Sequence, residues 1–429
     1  MDSATRPAAD GIVRTKEPLE PKLVSVIAEG YTAERFRRDA TAGLTVAIVA
    51  LPLSMAIAIA SGLPPERGLF AAIVGGFVIS ALGGSRFQIG GPAGAFIVLI
   101  AAIVERHGYD GLVLATLMAG VMLFLIGVFR LGTLINVVPA PVTAAFTAGI
   151  AVIIFASQLK ELLGLSMARD PAALIPKLGA IWSALGTLTP AAIGVSALTI
   201  AAIVALRRWW PSWPGLLIAV AVASIAASLF SLDIATIGTR YGGMPSSLPA
   251  PVIPTLSWAR LWAVFPDAVA VALLGAIESL LSAVVADGMT GRQHRSNIEL
   301  IAQGVANCGA ALFGGMPTTG TIARTATNIR AGATSPVAGM LHAVYLLAFM
   351  LLAAPLMAHI PLAALGGVLA VVAWNMIDRH ELMRLLHASW GGALVVTVTF
   401  LLTLLVDLIA GIVAGTVLSG IIYLLKPKA

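Results

Sequence analysis

The sequence predicts an all-α membrane protein with 14 transmembrane segments, arranged as seven plus seven with the second half inverted. Three observations predict it. The 429 residues are 59% hydrophobic and only 11% charged, whereas a soluble globular domain carries roughly 25% charged residues. Apolar runs recur along almost the whole chain, and about 20 apolar residues span the hydrocarbon layer. Two of the runs are short, broken by Gly and Pro, and stand third in each half, the pattern of discontinuous helices at matching places in two repeats. An odd number of spans per half gives the repeats opposite topology.

Taken in order, residues 1–38 are polar and basic and read as a cytoplasmic tail, with no cleavable signal peptide. The first-half spans are 41–61, 67–83, 91–105, 111–130, 139–160, 189–206 and 213–231. The second-half spans are 262–286, 297–314, 318–331, 336–357, 361–377, 391–406 and 407–425. Span three opens with Gly90-Gly91-Pro92-Ala93-Gly94-Ala95, and span ten with Gly314-Gly315-Met316-Pro317-Thr318-Thr319-Gly320. Span five begins after Pro139 and Pro141, and span twelve at Pro361. The less apolar segment 171–187 carries Lys177 and reads as a helix lying at the interface. With the N-terminus inside, 18 Lys and Arg fall on the inner side and seven on the outer, and Arg324 lies within a span. That excess predicts cytoplasmic termini and accounts for the net charge of +6 without nucleic acid. The lone Cys308 allows no disulfide within the chain and no cysteine-based metal site.

The chemistry is expected at the two broken helices. A helix N-terminus exposes unpaired N–H groups and a partial positive charge. Two such ends meeting in the membrane make an anion cradle that needs no dedicated side chain. Backbone at Gly91, Gly94 and Gly320 can approach a ligand closely, although small residues also serve helix packing. Arg324 shares a helix face with Thr321, Thr325 and Asn328, and a buried intramembrane Arg is costly and usually functional. It adds positive potential, unless it snorkels or pairs with a carboxylate. Glu278 is the one carboxylate well inside a long apolar run, which makes it a candidate proton carrier or half of an ion pair with Arg324. Asp267 and Asp407 lie nearer span ends and read as interfacial. Gln303 and Asn307, four apart, read as bonding between helices, and Gly411 and Gly415 as packing positions. There is no zincin motif, nucleophile elbow or phosphate-binding loop, so an enzyme or an ATP-driven pump is not expected. No metal or cofactor is assigned.

Several stretches together resemble the sulfate permease (SulP) family of anion transporters, from about Phe36 to Lys426. They are Ala50-Leu51-Pro52-Leu53-Ser54-Met55-Ala56, Gly91-Pro92-Ala93-Gly94-Ala95 and Ala276-Ile277-Glu278-Ser279-Leu280. The clearest block runs from Glu299 through Gln303 and Asn307 to Gly314-Gly315, followed by Thr321-Ile322-Ala323-Arg324-Thr325. The resemblance implies a core domain of spans one to four and eight to eleven (39–134 and 262–358). It implies a gate domain of the remaining spans (135–261 and 359–429), with the core moving against the gate like an elevator. It places Leu53, Ala93, Glu278, Thr321, Ala323 and Arg324 in the pocket, beside Gly94. Bacterial members of this look include proton-coupled carriers of dicarboxylates such as fumarate, and others that carry bicarbonate with sodium, or sulfate. Many relatives have Gln where this chain has Leu53, which fits an organic acid slightly better than an inorganic anion. Relatives usually continue into a soluble regulatory (STAS) domain, and this sequence stops at Lys428-Ala429.

The expectation is therefore a proton-coupled symporter of a small dicarboxylate in the bacterial inner membrane, with Glu278 carrying the proton. Bicarbonate or sulfate carriage, with sodium as the alternative coupling ion, stands second, and an uncoupled anion channel or a nucleobase carrier behind it. The expected partners are a small anion, protons and the lipid bilayer, with a homodimer left open and no nucleic acid.

Overall fold

The computed structural model describes residues 18–132, 139–211, 213–406 and 408–425. Each of the expected spans falls on a described helix. Among the described residues, eight helical stretches are long and apolar enough to cross a membrane by length and composition, and three shorter helices are also apolar.

The segment before the first span is more ordered than a tail. Helix α1 (Lys22–Ala28) buries Val26 and hydrogen-bonds to the end of the second span, Lys22 N–H donating to Gly83 O at 2.9 Å. Helix α2 (Ala33–Ala60) starts at Ala33 rather than near Thr41, because the Thr32 side chain caps it by accepting from Arg35 N–H at 3.3 Å. Its buried Asp39 accepts from Tyr31 Oη and from the backbone and hydroxyls of Thr334 and Ser335, tying the start of α2 to the far half of the chain. The second span is α3 (Pro65–Phe70), a π-helical turn (Ala71–Gly75) and α4 (Gly76–Leu82).

A short strand β1 (Gly90–Gly91) leads through a 3₁₀ turn (Gly94–Phe96) into α5 (Ile97–Val128). Expected spans three and four both lie on α5, where a kink at Gly108, φ 68°, divides them. The remaining first-half helices are α6 (Ala140–Leu163), α7 (Leu174–Ala184), α8 (Pro190–Trp209), α9 (Gly215–Leu229) and α10 (Ile237–Tyr241). Helix α7 falls within the segment 171–187, and its Lys177 is buried against Asp170.

The second half repeats the plan. Helix α11 (Trp258–Thr290) and α12 (Ser296–Leu312) precede strand β2 (Thr319–Gly320) and the short α13 (Ile322–Arg330). Then follow α14 (Val337–Met357), α15 (Leu362–Met376), the exposed α16 (Arg379–Ala388), α17 (Trp390–Leu405) and α18 (Leu408–Leu425). Asp407, Lys426 and Lys428 lie outside the described residues. Asp267, read from the sequence as interfacial, is buried 2.7 Å from Arg106 and 3.2 Å from His107, next to the α5 kink.

The most extensive helix packing falls in two sets, with α2 also lying on α15 and α9 between them. In one, α5 lies on α11 and α12, and α2 on α3 and α14. In the other, α6 lies on α15 and α17, and α8 on α9 and α15. Gly411 and Gly415 do act as packing positions. A Cβ on either would fall 2.2 or 2.1 Å from the hydroxyls of Thr403 and Thr399 of α17.

Candidate functional site: two half-helices over a buried arginine

The two broken spans meet through backbone. Strands β1 and β2 pair antiparallel, Gly90 opposite Gly320 and Gly91 opposite Thr319. Side-chain and backbone hydrogen bonds flank the two-residue strands. Thr321 N–H and its hydroxyl donate to Ile89 O at 3.0 and 3.2 Å, and Ile89 N–H donates to the Thr325 hydroxyl at 3.1 Å. Asn328 donates to Phe87 O at 2.9 Å. Asn307 receives Thr318 N–H and donates to Thr318 O, both at 2.9 Å.

Glu299, Gln303 and Asn307 lie four residues apart on one face of α12, which accounts for the clearest sequence block. Glu299 accepts from Gly84 N–H at 2.8 Å and Ser85 N–H at 3.1 Å, Gln303 donates to Glu299 at 3.2 Å, and Asn307 secures β2. Asn307 thus bonds the backbone entering β2 rather than another membrane helix. Gln303 bonds within its own helix.

Beyond the strands, each chain turns into a helix whose N-terminus has no side-chain cap, with Ala93 the N-cap of the first and Thr321 of the second. Each uncapped end presents free N–H groups and roughly half a unit of positive charge. Ala93 and Thr321 are 6% and 8% exposed, whereas Ala323 and Ile322 are open. Leu53, one residue past Pro52 inside α2, is buried. A Cβ on Gly94 would lie 3.1 Å from Ile154 of α6 and 3.9 Å from Met376 Sδ of α15, so this N-terminus faces the second helix set.

Arg324 lies beneath the crossing at 1% exposure. Its Nη2 donates to Ser54 Oγ at 3.0 Å and Pro92 O at 3.4 Å, while Nε and Nη1 have no partner among the described residues. It neither snorkels nor pairs with a carboxylate. The ion pair with Glu278 weighed from the sequence does not form. Its room comes from Gly91, φ 155°, where a Cβ would fall 2.1 Å from Nη1. On the other strand a Cβ on Gly320 would fall 1.5 Å from Gln88 Nε2.

Glu278 is half-buried on α11 and has no hydrogen bond or ion pair among the described residues. Gly275, three residues before it, accepts from the Thr319 hydroxyl at 3.0 Å; Ser282, four residues after it, is 3.1 Å from the Thr325 hydroxyl. Helical spacing puts Glu278 on the stripe between these contacts, beside the start of α13.

The structure adds groups that the sequence did not single out. Ser54 is the arginine's partner, with its own proton donated to Ala50 O at 2.7 Å. His342, inside α14, is fully buried with both ring nitrogens unpartnered. The π-helical turn carries Ala72, whose Cα lies 3.6 Å from the Cβ position on Gly91, and Gly75, whose Cβ position is 2.7 Å from the Thr318 hydroxyl. Such turns are rare and often mark functional sites. Ser54 and Gly75 read as ordinary small residues in apolar runs, and only their neighbours reveal them.

Discontinuous helices meeting end to end inside a multi-pass helical membrane protein are the build of a transport protein, not of an enzyme. The sulfate permease family model matches residues 36–399, and the chain belongs to that family. YvdB of Bacillus subtilis (strain 168), described as a candidate sulfate transporter, is 44% identical over 376 residues, covering 87% of this chain and 71% of YvdB. The bicarbonate transporter BicA of Picosynechococcus sp. is 32% identical, covering 86% of this chain and 66% of BicA. Among solved structures, the transmembrane domain of a cyanobacterial BicA superposes with a TM-score of 0.81 at 31% identity, covering 89% of this chain and 98% of that domain. SLC26A9 has a TM-score of 0.85 at 17% identity, covering 95% of this chain and 68% of SLC26A9, a likeness of fold alone.

Proposed function

We propose that this chain is a secondary active transporter of a small oxygen-bearing anion, in the bacterial inner membrane with both termini cytoplasmic. The observation that carries the reading is the pair of uncapped helix N-termini at Ala93 and Thr321, joined by β1 and β2 above a buried Arg324 without a counter-charge. Such a place favours an anion and disfavours a cation. The anion is held by Ala93, Gly94, Thr321 and Ala323, with Leu53 as an apolar wall and Arg324 as background charge. Residues 39–134 and 262–358 act as a core that slides against a gate of 135–261 and 359–429. The two packing sets support that division, as does Gly94 facing Ile154 and Met376. The bias of 18 inner against seven outer Lys and Arg supports the orientation.

Sulfate and bicarbonate are the first substrates to test, because YvdB and BicA are named for them. A dicarboxylate such as fumarate stands second, on the aliphatic surface that Leu53 gives the pocket. For coupling, the unpaired Glu278 favours a proton, with sodium the alternative. The test is uptake of radiolabelled sulfate, bicarbonate and fumarate into proteoliposomes, each with and without an inward proton or sodium gradient. Gradient-driven uptake of any of the three supports the reading and names the substrate. Uptake of none, with orientation controlled and the fold intact, overturns it.

A further inference from the structure

A groove of about 610 Å³ opens between α6, α8 and α15, and none of the crossing residues lines it. Its walls are aliphatic and aromatic: Phe155, Ile200, Val204 and Val371. Its other end is basic, formed by Arg207 and Arg208 in the last turn of α8, with Trp374 and Asn375 of α15 opposite. Arg207 is held there by donating to Asn375 at 2.8 Å. The Arg379 guanidinium stacks 3.9 Å from the centre of the Trp374 ring. Among the described residues, no carboxylate pairs with Arg207, Arg208 or Arg379.

Depth is fixed by aromatic residues. Trp209, Trp210 and Trp213 follow directly and are 68%, 51% and 57% exposed. Tryptophans in this setting gather at headgroup level. The basic end therefore lies among headgroups, while the apolar walls run into the hydrocarbon layer. Cations without counter-charge at that depth call for a phosphate, and the walls for an acyl chain.

We propose that this groove binds an anionic phospholipid, its phosphate between Arg207 and Arg208 and one acyl chain along Phe155, Val204 and Val371. The site bears on transport through adjacent residues: Phe155 follows Ile154 and Asn375 precedes Met376, the two side chains that face Gly94. A lipid seated there holds α6, α8 and α15 together where they meet the half-helix. The lipid site does not depend on which anion is carried.

The test is thermal unfolding of the purified protein in detergent, titrated with dioleoylphosphatidylglycerol or dioleoylphosphatidylcholine. Phosphatidylglycerol is expected to raise the melting temperature and phosphatidylcholine is not. The Arg207→Gln/Arg208→Gln double variant should weaken the phosphatidylglycerol response by about 30-fold in concentration. Val204→Trp, which fills the groove and keeps both arginines, should weaken it as well. Arg384→Gln, an exposed cation paired with Glu381, should leave it unchanged. Equal responses to the two lipids, or an undiminished response in the double variant, would overturn the proposal. So would a dimer that buries Trp374 and does not respond to phosphatidylglycerol.

Discussion

Three single residues separate electrostatics from chemistry at the crossing. Arg324 contributes charge from beneath the strands and is held by Ser54 and Pro92 O. Arg324→Ala is expected to weaken anion affinity by about 10-fold or more, the usual worth of a buried charged hydrogen-bonding group, measured as the Kd of the transported anion in detergent. Unchanged affinity would reduce it to a structural part. Among the described residues Glu278 has no partner, so Glu278→Gln removes the titratable carboxyl without orphaning a neighbour. It should abolish uptake driven by a proton gradient and leave anion exchange largely intact; uptake that still follows the gradient would exclude its proton role. Gly91 is the steric counterpart. Gly91→Ala combines a positive φ with a Cβ 2.1 Å from the arginine, and should cut transport more severely than Gly94→Ala, whose Cβ meets only side-chain ends. Arg324 and Glu278 were legible because charge is rare in an apolar run. Ser54 and His342 were not, since a small hydroxyl or a single imidazole in a helix has no periodic signature, and their meaning comes from neighbours hundreds of residues away or across the bundle.

Elements show the same division. The short spans were legible from their Gly/Pro openings, since a helix cannot begin before Pro92 or Pro317 without losing a backbone hydrogen bond. That the residues before each helix pair as β1 and β2 was not legible, because two-residue strands carry no alternation. The boundary between expected spans three and four falls at Gly108, where a non-helical φ of 68° separates two helical stretches. The helix that supports the crossing is α12, through Asn307. Asn307→Ala orphans both Thr318 N–H and Thr318 O in a buried setting, and should destabilise the protein by about 1–3 kcal/mol. The readout is a lowered melting temperature together with weaker anion binding. Asn307→Asp keeps the acceptor for Thr318 N–H and loses the donor, and should fall between the two. An alanine variant that melts like the parent would show that β1 and β2 hold their register without α12.

At the scale of the whole molecule, the two helix sets pose a mechanical question. The half-helix N-termini belong to one set, yet Gly94 looks onto Ile154 and Met376 of the other. An anion at that boundary reaches opposite sides of the membrane if one set slides past the other and carries the crossing with it. The network beneath the crossing suits a rigid carrier: Asp39 ties α2 to Thr334 and Ser335, and Gln88 ties the approach to β1 to Ser279 of α11 at 2.8 Å. These bonds join the two halves of the sequence within one set, so displacing that set as a body breaks none of them. The contact at Gly94, by contrast, parts if the sets slide as proposed. Because Cys308 is the chain's one cysteine, a Cys308→Ala background allows that contact to be bridged. A mercury bridge between Gly94→Cys and Ile154→Cys should stop uptake, and excess thiol should restore it to the level of the unbridged variant. A bridge across Asp39→Cys and Ser335→Cys, inside one set, should not stop it beyond the loss already present before bridging. Uptake that continues with the Gly94–Ile154 bridge closed would mean that the anion crosses without relative movement of the two sets, and would favour a channel-like path over an elevator.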